Sequence, residues 1–307
     1  LQILGASDDQ GNVDIDTGAV IFDSEMLQAL YQLVDTKEKF AAYVNERTRL
    51  SFYADFLYPL ASDSTLEQYY KETPEGDFTP ELEQCRTELW SVLHPYQMKL
   101  IRMSPAAFIH FGTTKELREL MTERMDEFYY LGWTSNINTN REEADFAASN
   151  SYVSPNAEIG KGSYLEDCMI RNKSQIGEEC VISGVTLDGQ TIPAHTVLHG
   201  LKQQNGKFVV RMYGVSDNPK EASLFGKELP VPLWEVAIYP VCDSMEEAVH
   251  QTLEAWREGF PIREDAISLK DSFNQADLSA LLPWQEKVSD KVELEEILEA
   301  IDRKENL

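Results

Sequence analysis

Positive charge is in short supply in this sequence: 27 lysines and arginines stand against 53 aspartates and glutamates, a formal net charge of −26. Nucleic acid and anionic membrane surfaces both need a cationic face to bind, so the balance argues against either as a direct partner. Cysteine is sparse too. The four present, Cys85, Cys168, Cys180 and Cys242, are far apart, with no C-x-x-C pair and no histidine at zinc-site spacing. The expectation is buried or half-buried thiols in a reduced cytoplasm. Long apolar runs are missing as well: the stretches at 106–108 and 231–238 stop well short of the ~20 residues a membrane span needs, so a soluble protein is expected. The first residues carry neither the basic segment nor the apolar run of a secretory signal, and Leu1 in place of Met reads as a processed or cut boundary.

What is present is enough for real cores. A length of 307 residues is about two domains' worth, 42% of it is apolar, and 13 Tyr and 13 Phe are spread along it, which excludes disorder of the whole chain. Val13, Ile15 and the run from Ala19 to Phe22 suggest a strand. Ser24 then suggests the cap of a helix with Leu27, Leu30, Tyr31 and Val34 on one side. The pattern stays mostly helical to Tyr130, notably over 82–93 and 114–130, with a strand-like run at 106–111.

Near Ser149 the period changes. Val153, Ile159 and Leu165 stand six apart, as do Ile170, Ile176 and Ile182, and Gly follows Ile159 and Ile176. A six-residue spacing predicts a left-handed parallel β-helix of about three coils, each aliphatic filling the axis. A hairpin through the turn Gln203-Gln204-Asn205-Gly206 follows, then a helix capped by Ser244 with Met245, Ala248, Val249, Leu253 and Trp256 on one face. A charged terminal helix over 291–304 aligns Leu294, Ile297, Leu298 and Ile301 for docking.

Two short motifs carry chemistry. Asp16-Thr17-Gly18 beside an apolar run offers a carboxylate for sugar hydroxyls and a glycine that lets backbone approach a ligand. It is similar to the N-x-G or D-x-G turn of sugar nucleotidyltransferases. The segment from Phe108 to Thr114 has the layout of their aromatic-x-D-x-G-T-P motif, with His110 where the aspartate is expected, Gly112 and Thr113 matching, and Thr114 in the place of proline. A neutral imidazole is a poor magnesium ligand. His110 is therefore expected on the sugar or its phosphate, with Asp14, Asp16 and Asp55 as the carboxylates to test for the metal.

Longer stretches, at 50–61, 108–120, 132–136, 211–220 and 268–277, resemble the fucose-1-phosphate guanylyltransferase family, which includes bifunctional enzymes with a fused fucokinase domain. The resemblance implies an α/β plus β-helix fold: residues 1–148 as the later, sugar-phosphate-binding part of a Rossmann-like nucleotidyltransferase domain, 149–205 as the left-handed β-helix and 206–307 as an α+β extension or linker. It implies GTP and fucose 1-phosphate as substrates and Mg2+ as cofactor, with Asp16, Thr17, Gly18, His110, Gly112 and Thr113 binding substrate and Asp14 and Asp16 near the metal. No nucleophilic side chain is needed, because in-line attack on phosphorus rests on positioning and charge.

The family's Gly-rich loop ending in Arg and followed by Lys is absent, so the first part of the catalytic sheet is expected upstream and this chain is expected to be inactive alone. Two phosphorylated substrates must also approach an acidic protein, for which Lys99, Arg102, Lys115 and Arg118 are the local candidates. The whole reading expects the Asp16 and His110 turns to line one pocket. Competing readings are a nucleotidyltransferase for another sugar 1-phosphate, a non-catalytic β-helix scaffold, and a hexapeptide-repeat acyltransferase using His195 or His199.

Overall fold

A computed structural model describes residues 9–45, 47–103, 105–141, 145–263 and 265–305. It forms two compact units, Leu1–Ile109 and His110–Leu307. Among the described residues no helix is long and apolar enough to cross a membrane.

The first unit is helical, with α1 (Ser24–Tyr31), α2 (Lys37–Tyr43), α3 (Leu66–Lys71), α4 (Pro80–Leu93) and a π-helical turn at Phe52–Leu57. The cap of α1 is Asp23 rather than Ser24: its carboxylate accepts from the Met26 N–H at 2.8 Å. Met26, Tyr43, Leu60, Cys85, Leu89 and Leu93 close an apolar core. Arg86 stands on the same buried side of α4 as Leu82, Leu89 and Leu93 and is itself fully buried. Its Nε donates to Asp55 at 2.7 Å and its Nη1 to the carbonyls of Tyr69 and Glu72, each at 3.0 Å. Asp55 in turn accepts from the Ser51 N–H at 2.6 Å, and its carbonyl accepts from the Tyr69 hydroxyl at 2.8 Å. One ion pair thus ties α3, α4 and the π turn together.

The strands expected at 13–22 and 106–111 are not formed; both segments are irregular. A strand needs a neighbouring ladder, and no described residue pairs with either. Their apolar side chains accordingly stand in solvent, Ile15 at 67% and Ile21 at 88% exposure.

In the second unit, α5 (Thr114–Thr122) is shorter than the helix expected over 114–130; the remainder is a 3-10 segment, Met125–Leu131, in which Phe128 leaves helical geometry at φ −117°. The solenoid follows: β1 (Asn136–Thr139), β2 (Ala147–Val153), β3 (Glu158–Ile159), β4 (Tyr164–Glu166), β5 (Met169–Ile170), β6 (Gln175–Ile176), β7 (Val181–Ser183), β8 (Thr186–Leu187), β9 (Thr191–Ile192) and β10 (Thr196–Lys202). Parallel ladders run β2–β4–β7–β10, β2–β5–β8 and β3–β6–β9, one for each face of the coil. Partners such as Ala147, Tyr164, Val181 and Val197 fix the repeat at 17, 17 and 16 residues. The coils therefore fall one residue short of three sixes twice and two residues short in the last. Val153, Leu165, Ile170, Ile182, Leu187 and Leu198 are all at 0% exposure along the axis.

The coils stack so closely that side chains are forbidden at some corners. A Cβ on Gly160 would lie 2.3 Å from Gly177 C, and one on Gly177 would lie 2.4 Å from Ala194 N. Other corners need left-handed backbone, and Asn150, Asp167 and Gly184 supply it one above another, at φ 44°, 53° and 66°. Small polar side chains fill inner corners: Ser151 accepts from Cys168 N and Ser163 from Cys180 N, at 3.1 and 3.0 Å. All four cysteines are free and buried, as expected, and burial pushes the Cys168 thiol up to about 12.

The last coil is covered by the expected hairpin, in which β10 pairs antiparallel with β11 (Phe208–Gly214). A two-stranded ribbon follows, β12 (Ser223–Leu224) with β13 (Lys227–Glu228), and then β14 (Tyr239–Cys242) pairs β11 and β15 (Ala266–Ile267) pairs β14. Ser244 caps α6 (Met245–Arg257), whose Ala248, Val249 and Leu253 pack on this sheet. A short α7 (Leu269–Asn274) precedes α8 (Leu281–Glu305), which docks on the solenoid through Val288 and Val292 and through the Trp284 indole donating to the Asp167 carbonyl at 2.8 Å. Of the stripe expected to dock, Leu294 is 50% exposed, and the side chains of Ile297, Leu298 and Ile301 lie outside the described residues.

Arg86→Met strands the Asp55 carboxylate and lowers the unfolding free energy by about 3–5 kcal/mol in urea titration, whereas the Asp55→Asn/Arg86→Met double variant loses clearly less than the sum of the single ones. Gly177→Ala costs at least the ~1–3 kcal/mol of an overpacked core, because the obstructing atoms are backbone; a wild-type melting curve for that variant contradicts the stacking.

Candidate functional site

The Asp16-Thr17-Gly18 turn is exposed and closed by its own first residue, whose Oδ1 accepts from the Gly18 N–H at 3.0 Å. Gly18 has φ 69°, and a Cβ there would lie 3.2 Å from the Tyr53 hydroxyl. The charge of Asp16, with some burial and a hydrogen bond to the same carboxylate, holds the Tyr53 phenol above its usual pKa. Asp14 Oδ2 accepts two hydrogen bonds from Arg102, at 2.9 and 2.7 Å. Asp55, buried on Arg86, is a structural group rather than a metal ligand. No cluster of three or more His, Cys, Asp or Glu side chains with metal-binding geometry occurs among the described residues. A magnesium ion on Asp14 and Asp16 would have to take its further oxygens from substrate phosphates, which is how Mg2+ is commonly held.

The His110 turn belongs to the other unit and is organised as a helix start. Thr113 caps α5, its hydroxyl accepting from the Glu116 N–H at 3.1 Å, while the Glu116 carboxylate accepts from the Gly112 N–H at 2.9 Å. This is close to a capping box with the reach-back displaced by one residue. His110 Nδ1 lies 3.5 Å from the same Glu116 oxygen, with the ring side chain 64% exposed. A Cβ at Gly112 would fall 2.2 Å from His110 Cε1, so only glycine leaves the imidazole this position.

Of the cations named from sequence, Arg102 is held by Asp14, and Lys115 lies 3.8 Å from Glu119. Arg118 is 3% exposed and clamps a solenoid corner, donating to Glu123 at 2.8 Å and to the Gly162 carbonyl at 3.0 Å. His195 sits at that corner too, 3.3 Å from Glu179.

Sequence reasoning missed a row of polar residues across the outer face of the solenoid. Ser149 pairs with Glu166, Glu166 with Ser183, Ser183 with His199, and His199 with Arg211 of β11. Each of the first four immediately follows an inward residue, Ala148, Leu165, Ile182 and Leu198, so the coil repeat itself was the signal. The Tyr164 hydroxyl and Ser183 Oγ approach the two oxygens of Glu166 at 3.3 and 3.4 Å. Desolvation, then the neighbouring charge of Asp167, pushes the Glu166 carboxyl up. Burial, then the charge of Arg211, pushes His199 down to about 3.

Residues 1–238 match the fucose pyrophosphorylase domain. The chain is 21% identical to the fucose-1-phosphate guanylyltransferase of Homo sapiens over 322 aligned residues, covering 90% of this chain and 52% of that protein. It is 22% identical to the fucose-1-phosphate guanylyltransferase of Mus musculus over 282, covering 77% and 48%. It thus spans about half the length of the curated relatives it matches. No solved structure matches it.

Thr113→Ala removes the α5 cap and lowers stability by about 1 kcal/mol in urea unfolding, while Thr113→Ser keeps most of it. Equal losses in the two variants contradict the capping role.

Proposed function

The chain belongs to the fucose pyrophosphorylase family, and on that premise we propose that it is the sugar-phosphate-handling part of a fucose-1-phosphate guanylyltransferase, joining GTP and L-fucose 1-phosphate into GDP-L-fucose and pyrophosphate. The observation that carries the reading is the domain match over residues 1–238, which includes both the Asp16 and the His110 turns. In this reading a phosphate oxygen of the sugar phosphate attacks the α-phosphorus of GTP in line, and pyrophosphate leaves.

The chain's own residues bind and orient. Asp16 accepts sugar hydroxyl hydrogen bonds once its contact with Tyr53 is exchanged, and the backbone at Gly18 lets the ring approach. His110 donates to the sugar or its phosphate. Gly112 and Thr113 present N–H groups at the start of α5, where negative charge is favoured. When bound, Mg2+ would neutralise phosphate charge, with Asp14 and Asp16 as the carboxylates nearest to that role. The irregular segments at 13–22 and 106–111 are proposed to become strands of a Rossmann-like sheet in the full protein, and the solenoid to be left-handed. A cytoplasmic location, a fused fucokinase domain and inactivity of this chain by itself complete the proposal.

Full-length protein given GTP, L-fucose 1-phosphate and Mg2+ should release GDP-fucose and pyrophosphate. Asp16→Asn or His110→Ala should lower kcat/KM about 10–100-fold, as losing charge-assisted hydrogen bonds does. Turnover by the 307-residue chain alone overturns the inactivity, and full activity in both variants overturns the site.

A further inference from the structure

Among the described residues three arginines have a guanidinium nitrogen sealed from solvent and unbonded: Arg86 Nη2, Arg118 Nε and Arg211 Nε. Two of them have their charge met inside the chain, Arg86 by Asp55 and Arg118 by Glu123. Arg211 does not. Among the described residues it forms no salt bridge, and its side-chain hydrogen bond runs from Nη2 to His199 Nδ1. His199 is neutral at physiological pH and supplies a dipole rather than a counter-charge. Burial lowers the affinity of Arg211 for its own proton, the mark of a cation short of compensation.

The surroundings show how that charge could be met. Both residues are half-buried rather than fully enclosed. Because Nδ1 of His199 accepts from Arg211, the ring proton sits on Nε2, and the imidazole is a second donor beside the guanidinium. Ser183 lies directly across from His199, with its hydroxyl donated to Glu166. Further along the row Glu166 is an acceptor already flanked by Tyr164 and Ser183. Neighbouring strands lie ~4.8 Å apart, so Arg211 and Glu166 are separated by roughly 14 Å. One end of the row donates to an anion and Glu166 accepts from hydroxyls. The adjoining row, with Tyr164, Val181 and Val197, is an apolar cluster that also takes in Val215 and Met121.

We propose that Arg211 and His199 form a binding site for a phosphate dianion on the outer face of the solenoid. This proposal does not rest on the role proposed for the Asp16 and His110 turns. Phosphate could arrive as the free ion or as the head of a small polyhydroxy metabolite, whose hydroxyls would then reach toward Glu166.

The chain has five histidines, so 13C-labelled histidine gives five ring signals, with His199 assigned by His199→Gln. Inorganic phosphate, titrated at constant ionic strength against chloride, should move the His199 signal saturably with a Kd of about 1 mM, and Arg211→Gln should weaken binding about tenfold or more. Glycerol 3-phosphate binding no tighter than phosphate assigns the site to the free ion; tighter binding that is lost in Glu166→Gln assigns it to a phosphorylated polyol. A His199 signal that does not move, or that follows ionic strength alone, overturns the proposal. Because that signal is read in the unsubstituted chain, the answer stands even where Arg211→Gln fails to fold, and a response at His110 alone counts against the Arg211 site without touching the transferase reading.

Discussion

Coil-on-coil closure governs the second unit. A single coil of 16 or 17 residues cannot bury Val153, Leu165 or Ile170 by itself; each is covered only because the next coil lies a strand spacing away. That closeness dictates the rest. It excludes side chains at Gly160 and Gly177, puts Asn150, Asp167 and Gly184 in left-handed backbone at one corner, and turns Ser151 and Ser163 inward to satisfy amides of the following coil. It also stacks outward residues in register, and so sets Glu166, Ser183 and His199 in line. The ends of the main ladder are covered by the same logic: β11, β14 and β15 extend the sheet beyond the last coil, and at the other side β1 pairs with β2 while α8 lies along it.

This explains which features were legible in the sequence. The solenoid could be read because its axial positions are aliphatic and recur at nearly fixed spacing, and the hairpin and α6 because Asn205-Gly206 and Ser244 are local signals whose geometry needs no distant partner. The strands at 13–22 and 106–111 could not be settled that way. An apolar run states that a segment could be covered, whereas a ladder depends on a neighbour elsewhere. The same holds for Asp55, which looks like a free carboxylate in sequence and becomes structural only when α4 brings Arg86 against it. For the polar row the information was present but needed the true repeat, since counting strict hexads drifts by one or two residues per coil and loses the outward phase.

Family membership and local geometry bear on different parts of the functional reading. The match over residues 1–238 identifies what kind of chemistry the chain is related to. Geometry says what each turn is built to do unaided: Asp16 closes its own turn, and Thr113 and Glu116 cap a helix. These roles are compatible with ligand binding, because turns and helix starts expose N–H groups and a carboxylate whose internal partner, here a tyrosine hydroxyl, can be exchanged for a sugar hydroxyl at little net cost.

Charge sharpens the point. With a net charge of −26, the far field of this chain repels phosphates, so recognition of any phosphorylated ligand depends on cations whose charge is not already met. Arg102, Lys115 and Arg118 are each next to a carboxylate, and Arg118 is further fixed by the Gly162 carbonyl. A guanidinium that shares its charge with a carboxylate at 2.7–2.8 Å offers little net attraction to a second anion. Arg211 differs because its partner is an imidazole that burial keeps neutral, leaving the guanidinium charge uncompensated at short range. The rigid β10–β11 ladder fixes that charge in place. In an acidic protein, one preorganised and unpaired cation in a half-buried row is worth more for anion recognition than several paired ones on mobile side chains.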